Sequence, residues 1–184
     1  SSADFDTDEE EEDLTDYESI LDLCSTALQQ CRLKWHYRSR FESLISFSNQ
    51  NFYDGDLVTF PASKTDEVGA GVDFVFVDGV FDRKTRTNRA EAEKITEMVF
   101  EHIEKYPDRS LGVVAFSIAQ QGLIDKLISK RRRQDPSKDF FFKSDKFEPF
   151  FVKNLETVQG DERDTILFSI AYARDAQGKL LLNF

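Results

Sequence analysis

From Val72 onward, apolar runs of strand length alternate with long amphipathic segments, and few architectures accept that alternation. "VDFVFVDG" reads as a strand, "NRAEAEKITEMVFEHIEKYP" as a helix that Pro107 ends, "SLGVVAFS" as a strand and "AQQGLIDKLISKRRR" as a helix. Strands follow near "FFVKNLE" and at "TILFSIAYA". Residues 113–116 are apolar without interruption, the pattern of a strand covered on both faces. The expected architecture is an α/β layer with a mainly parallel sheet flanked by helices, whose working groups gather at the carboxyl ends of the strands.

Upstream, Tyr17, Ile20, Leu21, Cys24 and Leu28 fall at helical spacing, with Thr15 as N-cap and Glu18 three positions on. "RLKWHYR" has strand character through Leu33, Trp35 and Tyr37, and "FESLISFSNQNFY" returns to a helix with Phe41, Leu44, Ile45 and Ser48 on one side. "DGDLVTFPASKTDEVGAG" is marked only by its turn residues Gly55, Pro61, Gly69 and Gly71. A chain of 184 residues, 40% apolar and with 18 phenylalanines, is expected to make one domain with a sizeable core.

The formal charge of −11 is mostly local, because residues 4–13 ("DFDTDEEEED") carry eight acids and no base, leaving about −3 for the rest. Residues 1–13 read as an acidic, disordered segment, and the acidity does not exclude a nucleic-acid partner. Cys24 and Cys31 stand two helical turns apart, about 10 Å along an axis, too far for a disulfide and without zinc-site spacing. Both are expected in the core or at its margin, in a reducing compartment. No apolar run approaches the roughly 20 residues of a membrane helix, and no signal segment opens the chain, so the expectation is a cytoplasmic protein without a membrane partner.

Several residues invite a functional reading beside a structural one. Arg38 stands where a strand hands over to a helix, a place to grip an anion, although a pair with Glu42 four residues on explains it too. Ser117 ends a strand and Gln120 sits in the next first turn, where a hydroxyl and an amide could hold a phosphodiester, or simply cap the helix. Asn88 and Glu91 form a capping box. Lys126, Lys130, Arg131, Arg132 and Arg133 complement a helix dipole or touch nucleic acid. The phenylalanines of "DFFFKSDKFEPFF" read as core under a loop before they read as base-stacking groups. His36 has only the distant His102 as companion, so no metal site is expected. No nucleophile elbow, GxxxxGK[ST] phosphate loop or HExxH occurs, and a related nuclease lacks its E-x-K triplet.

Taken in order, "LKWHYRSRFESLISFSNQNFYDGDL", "NRAEAEKI", "SLGVVAFSIAQQGLI" and "VQGDERDTILFSIAYARD" resemble the second RecA-like domain, the C-terminal AAA-type domain, of superfamily 1 DNA/RNA helicases. The closest branch is the Upf-like one, and within it bacterial helicase-related proteins whose arginine segment reads HYRS. The resemblance runs over residues 14–184 and implies a RecA-like, P-loop NTPase-type fold. It implies that Arg38 reaches the γ-phosphate in trans, that Glu162 lies near the nucleotide's ribose, and that Gln159 and Gly160 shape the loop between ATP cleft and strand. Ser117 and Gln120 fall in the segment that touches the single strand's backbone, and Asn154 stands where relatives often carry a small hydroxyl residue. The family's T-P-Y triplet is Ala-Phe-Ser here, and its final arginine motif is expected after Phe184.

The resemblance thus implies a fragment of an ATP-dependent helicase, inactive as an ATPase alone. ATP and Mg²⁺ belong to the intact parent, with none bound tightly by the fragment. Its partners are the first RecA-like domain of the same parent and a single strand, DNA ahead of RNA. The alternative is a non-catalytic, helicase-derived module that docks a protein through its acidic tail or basic helix end.

Overall fold

The computed structural model describes residues 19–39, 41–60 and 71–180. The chain divides into two compact units, Ser1–Phe74 and Val75–Phe184. Among the described residues no helix is long and apolar enough to cross a membrane.

In the first unit, α1 (Ile20–Ala27) starts at an N-cap supplied by Ser19, whose side chain accepts from Asp22 N. Thr15, Tyr17 and Glu18, the expected start, lie outside the described residues. Strand β1 (Trp35–His36), helix α2 (Ser43–Phe52) and strand β2 (Val58–Thr59) make a small β-α-β turn, with β1 and β2 parallel. Asn49 of α2 fastens it: its Oδ1 accepts Leu57 N at 2.9 Å and its Nδ2 donates to Leu57 O at 3.1 Å. None of this unit's described residues is buried. Cys24 and Cys31 are exposed free thiols, which corrects the expectation of core cysteines: α1 buries none of its residues.

The stretch "VDFVFVDG", residues 72–79, runs from the first unit into the second and is not a strand. Val72, Phe74 and Phe76 are 69%, 82% and 76% exposed, and the first ladder bonds of the second unit appear only at the hairpin β3 (Phe81–Asp82) and β4 (Thr87–Asn88). Asp82 holds the turn between these strands, its Oδ1 accepting from Lys84 N at 2.8 Å and Thr85 N at 3.3 Å. Helix α3 (Arg89–Lys105), strand β5 (Leu111–Ala115), helix α4 (Ile118–Gln134), strand β6 (Phe151–Asn154) and strand β7 (Thr165–Ser169) follow near their expected positions. A 3₁₀ segment, Pro136–Phe142, sits between α4 and β6.

The three long strands form one parallel sheet in the order β6-β5-β7. Central β5 is buried along its whole length, as its unbroken apolar run requires. Leu111, Val113 and Ala115 pack in one core with Ala92, Ile95 and Val99 of α3 and with Ile124 and Ile128 of α4. The opposite side of β5 closes at Gly112, where a Cβ would collide with the Phe151 ring. Phe141, only 3% exposed, joins the core, and Phe142 and Phe150 pack edge to face at 5.1 Å beside it. The phenylalanine-rich stretch is therefore largely packing, with Phe147 alone fully exposed.

Candidate functional site

The order β6-β5-β7 decides where the candidate residues sit. Because β6 and β7 are both parallel to β5, chain leaving the carboxyl end of β6 must return to the amino end of β7. Ser117 and Asn154 therefore lie at the carboxyl ends, after β5 and at the close of β6. Gln159, Gly160 and Glu162 lie along the returning connection.

Its bend is a tight turn in which Asp161 N donates to Val158 O at 3.0 Å, with Gly160 at φ +84. That left-handed backbone is what glycine supplies. Asp161 then pairs with Lys153 of β6, and Arg163 donates to Pro149 O at 3.0 and 2.7 Å and covers the Phe151 ring at 4.7 Å. Pro149 precedes β6, so Glu162 is carried to the amino edge of the sheet. The expectation that all these groups share the carboxyl mouth is corrected by this parallel topology. Glu162 and Gln159 are both exposed.

At the amino edge, Ser110 and Asp164 tie the starts of β5 and β7: each backbone N–H donates to the other's side chain at 3.0 Å. Ser110 Oγ also donates to Glu148 Oε2 at 2.5 Å. A cavity of about 300 Å³ opens here, lined among others by Arg109, Phe141 and Lys146.

At the carboxyl edge, Ser117 caps α4, its Oγ accepting from Gln120 N at 3.2 Å. Asn154 is 7% exposed, and its Oδ1 accepts from Thr157 N at 3.1 Å and Thr157 Oγ1 at 3.0 Å, closing the turn after β6. Gln120 is 0% exposed. Its Oε1 accepts Asn88 N at 2.9 Å, and its Nε2 donates to Asn88 O and to Ser169 Oγ, both at 3.1 Å. The reading of Gln120 as a backbone contact for nucleic acid is corrected: the amide is enclosed and its bonds are spent inside the unit.

Glu91 was legible only in part. Asn88 does cap α3, accepting from Glu91 N at 3.2 Å, and the Glu91 carboxylate, which takes a long bond from Asn88 Nδ2 at 3.5 Å, makes shorter ones beyond the cap. It accepts from Ser169 Oγ at 2.8 Å and from Ala171 N at 3.0 Å, where Ala171 holds φ +67. Asn88, Glu91, Gln120 and Ser169 thus knot the starts of α3 and α4 to the exit of β7. The spacing of Asn88 and Glu91 could reveal a cap but not partners 78 and 80 residues away.

In the first unit, Arg38 is exposed on a turn between β1 and α2. His36 shapes the turn: its Nε2 accepts from Ser39 N at 3.2 Å and lies 2.8 Å from Ser39 Oγ. His36 and Ser39 are positioning residues that the sequence did not single out as such. Among the described residues no group of three or more His, Cys, Asp or Glu side chains is gathered for a metal.

Comparison with known proteins adds a second kind of observation. The AAA domain family (AAA_12) matches residues 16–182. A protein of Mycoplasma genitalium described as uncharacterized ATP-dependent helicase MG140 is 35% identical over 191 residues, covering 95% of this chain and 16% of that protein. Its Mycoplasma pneumoniae homolog is 34% identical over 146 residues, covering 77% of this chain and 13% of its own length. The chain therefore spans only about one sixth of the first relative and less of the second.

Proposed function

The chain belongs to the AAA domain family, and from that premise we propose that it is the second RecA-like motor domain of an ATP-dependent superfamily 1 nucleic-acid helicase. It is a helicase-related region with the α/β RecA-like fold. The finer reading is supported chiefly by Arg38, an exposed guanidinium on a turn fixed by His36 and Ser39, at the head of a helix.

In this reading the first RecA-like domain of a longer protein holds ATP and Mg²⁺, and Arg38 reaches the γ-phosphate from across the cleft. Gln159, Gly160 and Glu162 form the loop toward the ribose, where the exposed Glu162 carboxylate accepts from sugar hydroxyls. Ser117 and Asn154 border the single strand, DNA ahead of RNA. Nucleotide binding then closes the domains and hydrolysis reopens them, so that alternating grip becomes stepping.

The sequence contains no GxxxxGK[ST] loop, so the 184-residue chain by itself is expected not to hydrolyse ATP. Steady, Mg²⁺-dependent turnover by the purified chain would overturn that assignment. A second reading, a helicase-derived module that binds a protein, draws on the exposed Trp35 and Tyr37, at 66% and 85%. It predicts a longer protein that keeps its partner when its ATPase is abolished.

A further inference from the structure

Helix α4 buries Gln120, Ile124 and Ile128. At 3.6 residues per turn the opposite side carries Ala119, Gly122, Lys126, Lys130 and Arg133, the last four exposed. This side has two properties that the fold of its own unit does not use.

The first is charge. Helix α4 holds five cations against the single acid Asp125, in a chain of net −11. Its neighbours are neutralised locally: Arg132 pairs with Asp139 at 2.9 Å, and Lys138 with Glu104 at 3.1 Å. Among the described residues Lys126, Lys130 and Arg133 form no ion pair, and of the three only Lys130 borders carboxylates, lining a cavity with Glu93 and Glu97 of α3. The axial separations of the three cations are about 6 Å and about 4.5 Å.

The second is Gly122. Glycine in the middle of a helix is unfavourable relative to alanine, because it loses more backbone freedom on folding. Here nothing inside the unit compensates: a Cβ at Gly122 would meet no atom within 4 Å, and the position needs no left-handed backbone. Bare backbone beside a row of unpaired cations is what close approach of an anionic chain requires.

We propose that this outer face of α4 is a docking strip for the sugar-phosphate backbone of a single nucleic-acid strand. Lys126, Lys130 and Arg133 meet successive phosphates, and the strand comes closest to the helix at Gly122. The choice of nucleic acid over another polyanion rests on the helicase reading. The strip itself rests on the charge and on Gly122, and it is separate from the loops assigned to nucleotide.

The test measures binding of the purified chain to a labelled oligothymidylate by anisotropy across a range of salt. Each phosphate neutralised contributes about 0.7 to the slope of log K against log salt for a single strand. The variant Lys126→Gln, Lys130→Gln, Arg133→Gln is therefore expected to lose about 2 from that slope. Lys84→Gln, Lys105→Gln, Lys179→Gln removes the same charge from positions outside α4 and is expected to leave it unchanged. Gly122→Ala is expected to raise the melting temperature while weakening binding severalfold, a combination that a purely structural glycine does not give. Equal slopes for the two triple variants, no binding at all, unchanged affinity of Gly122→Ala, or displacement by polyglutamate at equal charge each overturn the strip. If the strip falls while the longer protein keeps an Arg38-dependent ATPase, the motor reading stands without it.

Discussion

Gln120 is fully buried, so every bond its amide makes matters. Its replacement by alanine leaves Asn88 N, Asn88 O and Ser169 Oγ short of a partner. The expected cost is about 2–3 kcal/mol, read as a fall in melting temperature. Ser117→Ala, which removes one partly exposed cap, is expected to cost about 1 kcal/mol in the same assay. A reversed order would contradict the assignment of Gln120 to structure. The sequence does carry the face, because Gln120 lies four residues before Ile124 and eight before Ile128. It carries no trace of the partners, which are 32 and 49 residues away. His102 gives a pH dependence. Burial pushes its imidazole below the ordinary value near 6.5, outweighing the lift from the bond its Nε2–H donates to Arg109 O at 3.1 Å. The unfolded chain therefore takes up the proton first as pH falls. The stability from the neutral ring is whole above about pH 6.5 and is lost as pH drops from there through the lowered folded value. Wild type is expected to lose more melting temperature between about pH 7.5 and about pH 5 than His102→Gln does.

At the scale of elements, α3, α4, β5 and β7 were readable because each is long enough to show a period of 3.6 or an unbroken apolar run, and β6 from the apolar residues 150–152 at its start. Strand β1 was legible in the alternation of Leu33, Trp35 and Tyr37, whereas β2 to β4 have two residues each, too few for any period. Residues 72–79 misled for another reason. An apolar run reports that a segment wants cover, not that a neighbouring strand stands ready to bond it. The site residues were found where they carry a turn or a cap, but their distribution between the two edges of the sheet depended on the strand order, which spacing does not contain. The connection after β6 tests this scale. Gly160→Ala must hold a left-handed backbone at φ +84, with a Cβ that meets open space, so the cost is backbone strain alone, about 1–2 kcal/mol. Melting of the purified chain measures it, and an unchanged midpoint would mean that the Val158–Asp161 turn adopts another form.

The whole molecule is two units, a small one presenting Arg38 and a larger one carrying the sheet and the Gln159 to Glu162 connection. Neither holds a phosphate loop, and the helicases it resembles are several times longer. The most direct test is steady-state ATP hydrolysis by the longer protein with Arg38→Ala, beside Arg38→Lys. Loss of the trans guanidinium is expected to lower turnover by about 10³-fold or more. Lysine is expected to restore little of it, because a point charge does not reproduce the planar fork. Turnover within a few-fold of wild type for Arg38→Ala would contradict the motor assignment.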